Sequence, residues 1–192
     1  MAFNRAVGDL GDLLAERRLA YELVIIGGAT LLLRGMVTRA VTQDVDVVAE
    51  VRDGRLVAVH EIDPKLATAV RDVAALHGLL PDWLNTAPSG LMDLGLPAGF
   101  QGRLTSERWG GLTLHHPARE DMVAFKLYAV VDGWPSQRTR HVGDLRALRP
   151  TPQELLSAAR WTRTHDPSPA FRANMLTVLR FLGLEVADVD ID

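Results

Sequence analysis

Leu23-Val24-Ile25-Ile26-Gly27-Gly28, followed after a spacer by Thr42-Gln43-Asp44-Val45-Asp46-Val47-Val48, is the stretch whose reading decides the fold. A short apolar run stops at a glycine doublet, and a second apolar run carries two aspartates where apolar residues belong. Strand side chains alternate faces, so Asp44 and Asp46 are expected on one side, with Val45 and Val47 turned to a core on the other. Two carboxylates on a rigid element offer a hard cation two oxygen ligands, and paired glycines let backbone approach a phosphate closely. The expected chemistry is phosphate held together with a divalent cation.

Each half of that stretch has a plainer reading. Gly27-Gly28 alone could be a tight strand-to-helix turn. A dinucleotide fold would need GxGxxG and a P-loop would need Gly-Lys-Ser/Thr, and neither pattern is present. Asp44 and Asp46 could be solvated residues on an open sheet face. Against this, like charges two residues apart on one strand face repel, and a bound cation reverses the penalty. An EF-hand is excluded, because its loop glycine and closing glutamate are missing.

The surrounding composition narrows the classes. A chain of 192 residues, 47% hydrophobic and 23% charged, can bury a substantial core. A net charge of -3 argues against a surface coated in basic residues for nucleic acid, although a local basic face is allowed. The absence of cysteine removes disulfides, thiolate metal sites and cysteine nucleophiles together. The apolar run from Leu23 to Leu33 is broken by glycines and closed by Arg34, too short to span a bilayer, so no membrane contact is expected. The opening MAFNRAVGDLGDLL carries charge where a signal peptide needs an apolar core, which places the expected location in the cytoplasm.

Periodicity organises the rest. Phe3, Val7, Leu10 and Leu14 predict an amphipathic helix to about Arg18, Tyr21 to Ile26 a buried strand, Ala29 to Leu33 a helix, and Asp44 to Val51 the next strand. Asp53-Gly54 predicts a hairpin returning through Leu56 to Val59, and Asp63-Pro64 starts a helix that stops at Gly78. Leu79 to Gly111 is rich in Gly and Pro and reads as loops around short strands, with Leu112 to Leu114 a strand. Helices are expected over Met122 to Val131, His141 to Leu148, after the capping box Thr151-Pro152-Gln153-Glu154, and over Phe171 to Leu182, with a frayed tail from Glu185 to Asp192. The expected class is α/β (α+β): a small mixed sheet flanked by helices. Residues 1–118 would form the core carrying the Gly-Gly and Asp-x-Asp motifs, and residues 119–192 a helical region packed on it.

Lys126 stands inside Met122-Val123-Ala124-Phe125-Lys126-Leu127-Tyr128-Ala129-Val130-Val131. It either snorkels to solvent or is held over a polyphosphate, and on both readings Lys126→Met leaves folding intact. His115-His116 has no further ligand at metal spacing and reads as structural or surface. Ser89, Ser106 and Ser136 lack a nucleophile-elbow context, so a hydrolase triad has no support. Arg138, Arg140, Arg146, Arg149, Arg160 and Arg163 form either a solvated face or a track for a phosphate backbone.

In order along the chain, Ile26-Gly27-Gly28 and Asp44-Val45-Asp46 resemble the hallmark of the nucleotidyltransferase superfamily that includes DNA polymerase β-like and minimal nucleotidyltransferases. The wider pattern GGATLLLRG, RAVTQDVDVV, REDMVAFKLYAVVD and RHVGDLRAL is similar to the AbiEii-type nucleotidyltransferases, many of them toxins of toxin–antitoxin pairs. The resemblance implies a nucleotidyltransferase fold and Mg²⁺-dependent transfer of a nucleotidyl group from an NTP to an acceptor. That acceptor is a tRNA 3′ end or a protein hydroxyl, with a cognate antitoxin as partner. It assigns Mg²⁺ to Asp44 and Asp46, nucleotide phosphates to Gly27 and Gly28, the triphosphate to Lys126, and the later Asp-Leu motif to Asp144. A third carboxylate is not matched by any motif, and Asp93 is a candidate. The competing class is a non-catalytic binding or regulatory subunit with the same fold.

Overall fold

Fifteen residues from Ala2 to Glu16 open the chain as an amphipathic helix, and Ala6, Val7, Leu10 and Leu14 on its inner stripe are buried. The computed structural model describes residues 2–37, 42, 44–135, 139–185 and 191. After α1 (Ala2–Glu16) come β1 (Tyr21–Ile26), α2 (Gly27–Leu33), β2 (Val45–Arg52), β3 (Arg55–Ala58), α3 (Pro64–His77) and β4 (Leu84–Asn85). The chain continues through α4 (Gly90–Leu94), β5 (Thr105–Trp109), β6 (Leu112–His116), α5 (Arg119–Asp132), α6 (Thr139–Leu148), α7 (Pro152–Arg163) and α8 (Pro169–Phe181). It divides into two compact units, Met1–Ala118 and Arg119–Asp192.

The first unit holds the sheet, which is mixed among the described residues and ordered β3-β2-β1-β6-β5, with β4 on β2. β1 runs antiparallel to β2 and parallel to β6, so it is the central strand, and its buried part, Leu23 to Ile26, is a continuous apolar run. β3 pairs with the far half of β2, at Ala49 to Arg52, while β4 pairs with its first residues, Val45 and Asp46. One sheet face, carrying Leu23, Ile25, Val45, Val47, Leu84, Leu112 and Leu114, packs with α1 and α3 into a single apolar cluster.

Local chemistry explains the boundaries of these elements. Asp63 caps α3 by accepting from the Lys65 and Leu66 N–H groups, Pro64 occupies the first turn, and Gly78 closes the helix at φ +63. A side chain at Gly11 would collide with the Trp109 backbone, so the missing Cβ lets α1 lie directly on the β5–β6 turn. β2 begins at Val45 rather than at Asp44, whose carbonyl and carboxylate oxygens both lie within hydrogen-bonding reach of the Thr42 hydroxyl, a local side-chain bond that competes with strand pairing. β4 and β5 are the short strands of the Gly- and Pro-rich segment from Leu79 to Gly111.

The second unit is α5 to α8, with α5 packed on α6, α7 and α8. Phe125 meets Trp161 edge-on at 5.5 Å between ring centroids. The capping box at Thr151 is formed in both directions, Glu154 N–H to Thr151 Oγ1 and Thr151 N–H to Glu154 Oε2. Thr151→Ala is expected to cost about 1 kcal/mol of stability, measurable by denaturant unfolding. The frayed tail lies outside the described residues except at Glu185 and Ile191, and Ile191 is fully buried. Among the described residues no helix is long and apolar enough to cross a membrane.

Candidate functional site

Asp46 sits where β1 hands over to α2. Its Cα partner across the antiparallel ladder is Ile26, the last residue of β1, and Gly27 follows at φ +77. A Cβ at Gly27 would collide with Asp46 Oδ2, so the carboxylate rests directly against the turn backbone. Only glycine supplies both the left-handed conformation and the space. Gly27→Ala is therefore expected to cost about 1–2 kcal/mol for the backbone alone and to push the Asp46 carboxylate aside, which thermal unfolding and a structure of the variant would both register.

The face that Asp46 occupies follows from its neighbours. Val45 and Val47 belong to the apolar cluster, so Asp46 between them projects from the opposite face, as alternation requires. Asp44 lies just before the strand, half-buried, with its Oδ1 accepting from the Thr42 hydroxyl at 2.9 Å. Gly28 is buried in the first turn of α2. Gly27 and Asp46 are thus brought together by tertiary pairing, from positions well apart in sequence.

Another side chain joins them that sequence reasoning missed. Trp83 is fully buried; its indole N–H donates to the Val70 carbonyl at 3.0 Å, and its own carbonyl accepts from the Val45 N–H. That anchor lays β4 parallel to the start of β2, in the register Val45↔Leu84 and Asp46↔Asn85. Leu84 is in the core, which leaves Asn85 on the Asp46 face. The candidate third carboxylate, Asp93, is exposed on α4. Among the described residues no group of three or more His, Asp or Glu side chains could hold a metal ion. Mg²⁺ keeps several waters and is bound through as few as one or two carboxylates together with substrate phosphates, so a cluster of three protein ligands is not a requirement for it.

In the second unit, Lys126 and Asp144 form an ion pair, Nζ to Oδ2 at 2.6 Å, with side chains 5% and 16% exposed. The lysine therefore neither snorkels nor stands alone. The expectation that Lys126→Met leaves folding intact is corrected by this geometry, because the substitution would strand a carboxylate with little access to water. Arg119 reinforces the same unit, donating to Glu154 and to the carbonyls of Leu148 and Arg149.

A family model described as "Nucleotidyltransferase of unknown function (DUF6036)" matches residues 5–133. The chain belongs to this nucleotidyltransferase family. The match takes in the Gly-Gly turn, the aspartates and Lys126, and stops short of Asp144. It supports the nucleotidyltransferase superfamily without reaching the AbiEii-type family. No curated protein and no solved structure matches the chain.

The nucleotidyltransferase sheet also carries a histidine whose burial has consequences of its own. His115 reaches Glu22 Oε2 at 3.0 Å, whereas His116 is fully buried and, among the described residues, neither ring nitrogen has a hydrogen-bond partner. Burial, followed by the positive charge of Arg34 and then His115, depresses its pKa to about 4. The unfolded chain therefore takes up this proton first as pH falls. The stabilising contribution is complete above the ordinary histidine value and is lost as pH drops from about 6.5 toward 4, by up to about 3 kcal/mol. His116→Phe should remove this slope, seen as the difference between the two proteins in urea unfolding across that pH range.

Proposed function

We propose that this protein transfers a nucleotidyl group from an NTP to a hydroxyl acceptor, with Mg²⁺ bound by Asp44 and Asp46. The observation that supports the reading is the Asp46 carboxylate resting against the Gly27 backbone, since a carboxylate is a ligand type for a hard cation and a glycine turn admits close approach of a phosphate. In the reaction the acceptor oxygen attacks the α-phosphorus in line. The new P–O bond forms as the bond to pyrophosphate breaks; pyrophosphate leaves and the hydroxyl proton passes to solvent. Mg²⁺, when bound, neutralises charge on the phosphates. Gly27 and Gly28 hold the phosphates close to backbone, and the resemblance, rather than any observed contact, gives Lys126 a role toward the triphosphate.

The acceptor proposed first is a tRNA 3′ end, and second a protein hydroxyl, following the likeness of GGATLLLRG and RHVGDLRAL to AbiEii-type nucleotidyltransferases. On that likeness the protein acts as the toxin of a toxin–antitoxin pair in the cytoplasm, with its antitoxin as partner. A non-catalytic subunit is the second reading, favoured by an amide, Asn85, beside Asp46. Incubation with each labelled NTP, Mg²⁺ and either total RNA or cell lysate tests the choice. Label in RNA supports the tRNA acceptor and label in protein the second acceptor. Mg²⁺-NTP binding without transfer from any NTP to either pool establishes the non-catalytic reading.

A further inference from the structure

Asn85 reaches the Asp46 face through a short chain of constraints. Trp83 anchors β4, the parallel register sets Leu84 beside Val45 in the core, and the next pair, Asp46 and Asn85, projects from the other face. The amide orientation is fixed as well. Its Oδ1 accepts from the Ala87 N–H at 2.9 Å, and since a backbone N–H only donates, the atom facing it is the oxygen. The Nδ2 end is then left with two N–H donors and, among the described residues, donates to no acceptor. Asn85 and Asp46 are both half-buried, so neither is sealed from a ligand.

An N–H group cannot coordinate a cation. It can donate to an anionic oxygen, and beside a carboxylate that holds a metal the anionic oxygens brought by a nucleotide are those of its phosphates. We infer that Asn85 is a phosphate-binding residue of the nucleotide site, donating through Nδ2 to a phosphate oxygen beside Asp46. The inference rests on the nucleotide reading proposed above and adds a residue that the Gly-Gly and Asp-x-Asp motifs do not contain.

Asn85→Asp is the informative change. The carboxylate is nearly isosteric and still accepts from Ala87 N–H, so β4 and its turn are retained, while a donor becomes a third negative charge. Calorimetric titration of the full chain with Mg²⁺-ATP, Mg²⁺-tripolyphosphate and Mn²⁺ alone reads the effect, with thermal unfolding as the check on structure. The expected result is at least a tenfold loss of affinity for both phosphate probes and a gain of at least several-fold for free Mn²⁺, with the unfolding midpoint little changed. A loss confined to Mg²⁺-ATP overturns the phosphate assignment, because tripolyphosphate has no ribose or base. Phosphate-probe affinities within twofold of wild type overturn the inference. Asp46→Asn, titrated in parallel, separates the two claims: if it weakens Mg²⁺-ATP and Asn85→Asp does not, only the role of Asn85 falls. If neither variant weakens Mg²⁺-ATP, the nucleotide reading falls with it.

Discussion

Asp46→Asn is expected to leave the protein folded and to lower nucleotidyl transfer by roughly 10²–10³-fold, the rate equivalent of losing several kcal/mol of charge stabilisation. Folding should survive because the amide has almost the same shape, still fits against Gly27, and removes one of two neighbouring negative charges. Activity should not, because a neutral amide oxygen is a far weaker ligand for a hard cation, and the cation is what offsets the phosphate charge. The measurement pairs labelled-NTP transfer with thermal unfolding of both proteins. A variant that transfers as fast as wild type would end the catalytic reading, whereas loss of activity with an unchanged midpoint supports it.

Lys126→Met should destabilise the protein by about 3–5 kcal/mol, the range for removing one member of a buried ion pair. The methionine keeps the length of the aliphatic stem, so packing is conserved. The cost comes from Asp144, 16% exposed, which loses its 2.6 Å partner and cannot recover full hydration. Replacing both residues, as Lys126→Met with Asp144→Leu, should regain most of that loss, since an apolar pair leaves no stranded charge. Urea unfolding of the four proteins forms a double-mutant cycle. Near-additive losses would mean that the pair contributes nothing, contrary to the buried geometry. The folded double variant also tests the triphosphate role that the resemblance gives Lys126: on that proposal Mg²⁺-NTP affinity falls by about 1.5–3 kcal/mol for one charged hydrogen bond.

Much of the secondary structure was legible because its causes are local. Tyr21 to Ile26 is a short β-rich apolar run stopped by glycine, and it is β1 over the same residues. Asp63-Pro64 with Gly78 delimits α3 through capping groups adjacent in sequence, and Thr151 with Glu154 forms its box within a single turn. The hairpin at Asp53-Gly54 was equally readable, and β3 returns antiparallel to β2. β4 was not readable. A strand of two residues has no period, and Trp83 before it looks like any aromatic in a proline-rich loop until its carbonyl is seen to hold Val45.

By itself, then, the sequence determined the α/β class, most element types and the chemical character of the Gly-Gly and Asp-x-Asp motifs, since each depends on residues within a few positions of one another. Only tertiary structure decided what those residues touch. The seat of Asp46 on Gly27 comes from antiparallel pairing of β1 with β2, and the arrival of Asn85 beside Asp46 comes from a buried indole. The engagement of Lys126 by Asp144 comes from packing of α5 on α6. Register and helix packing are set by non-local burial, which no periodicity along the chain encodes.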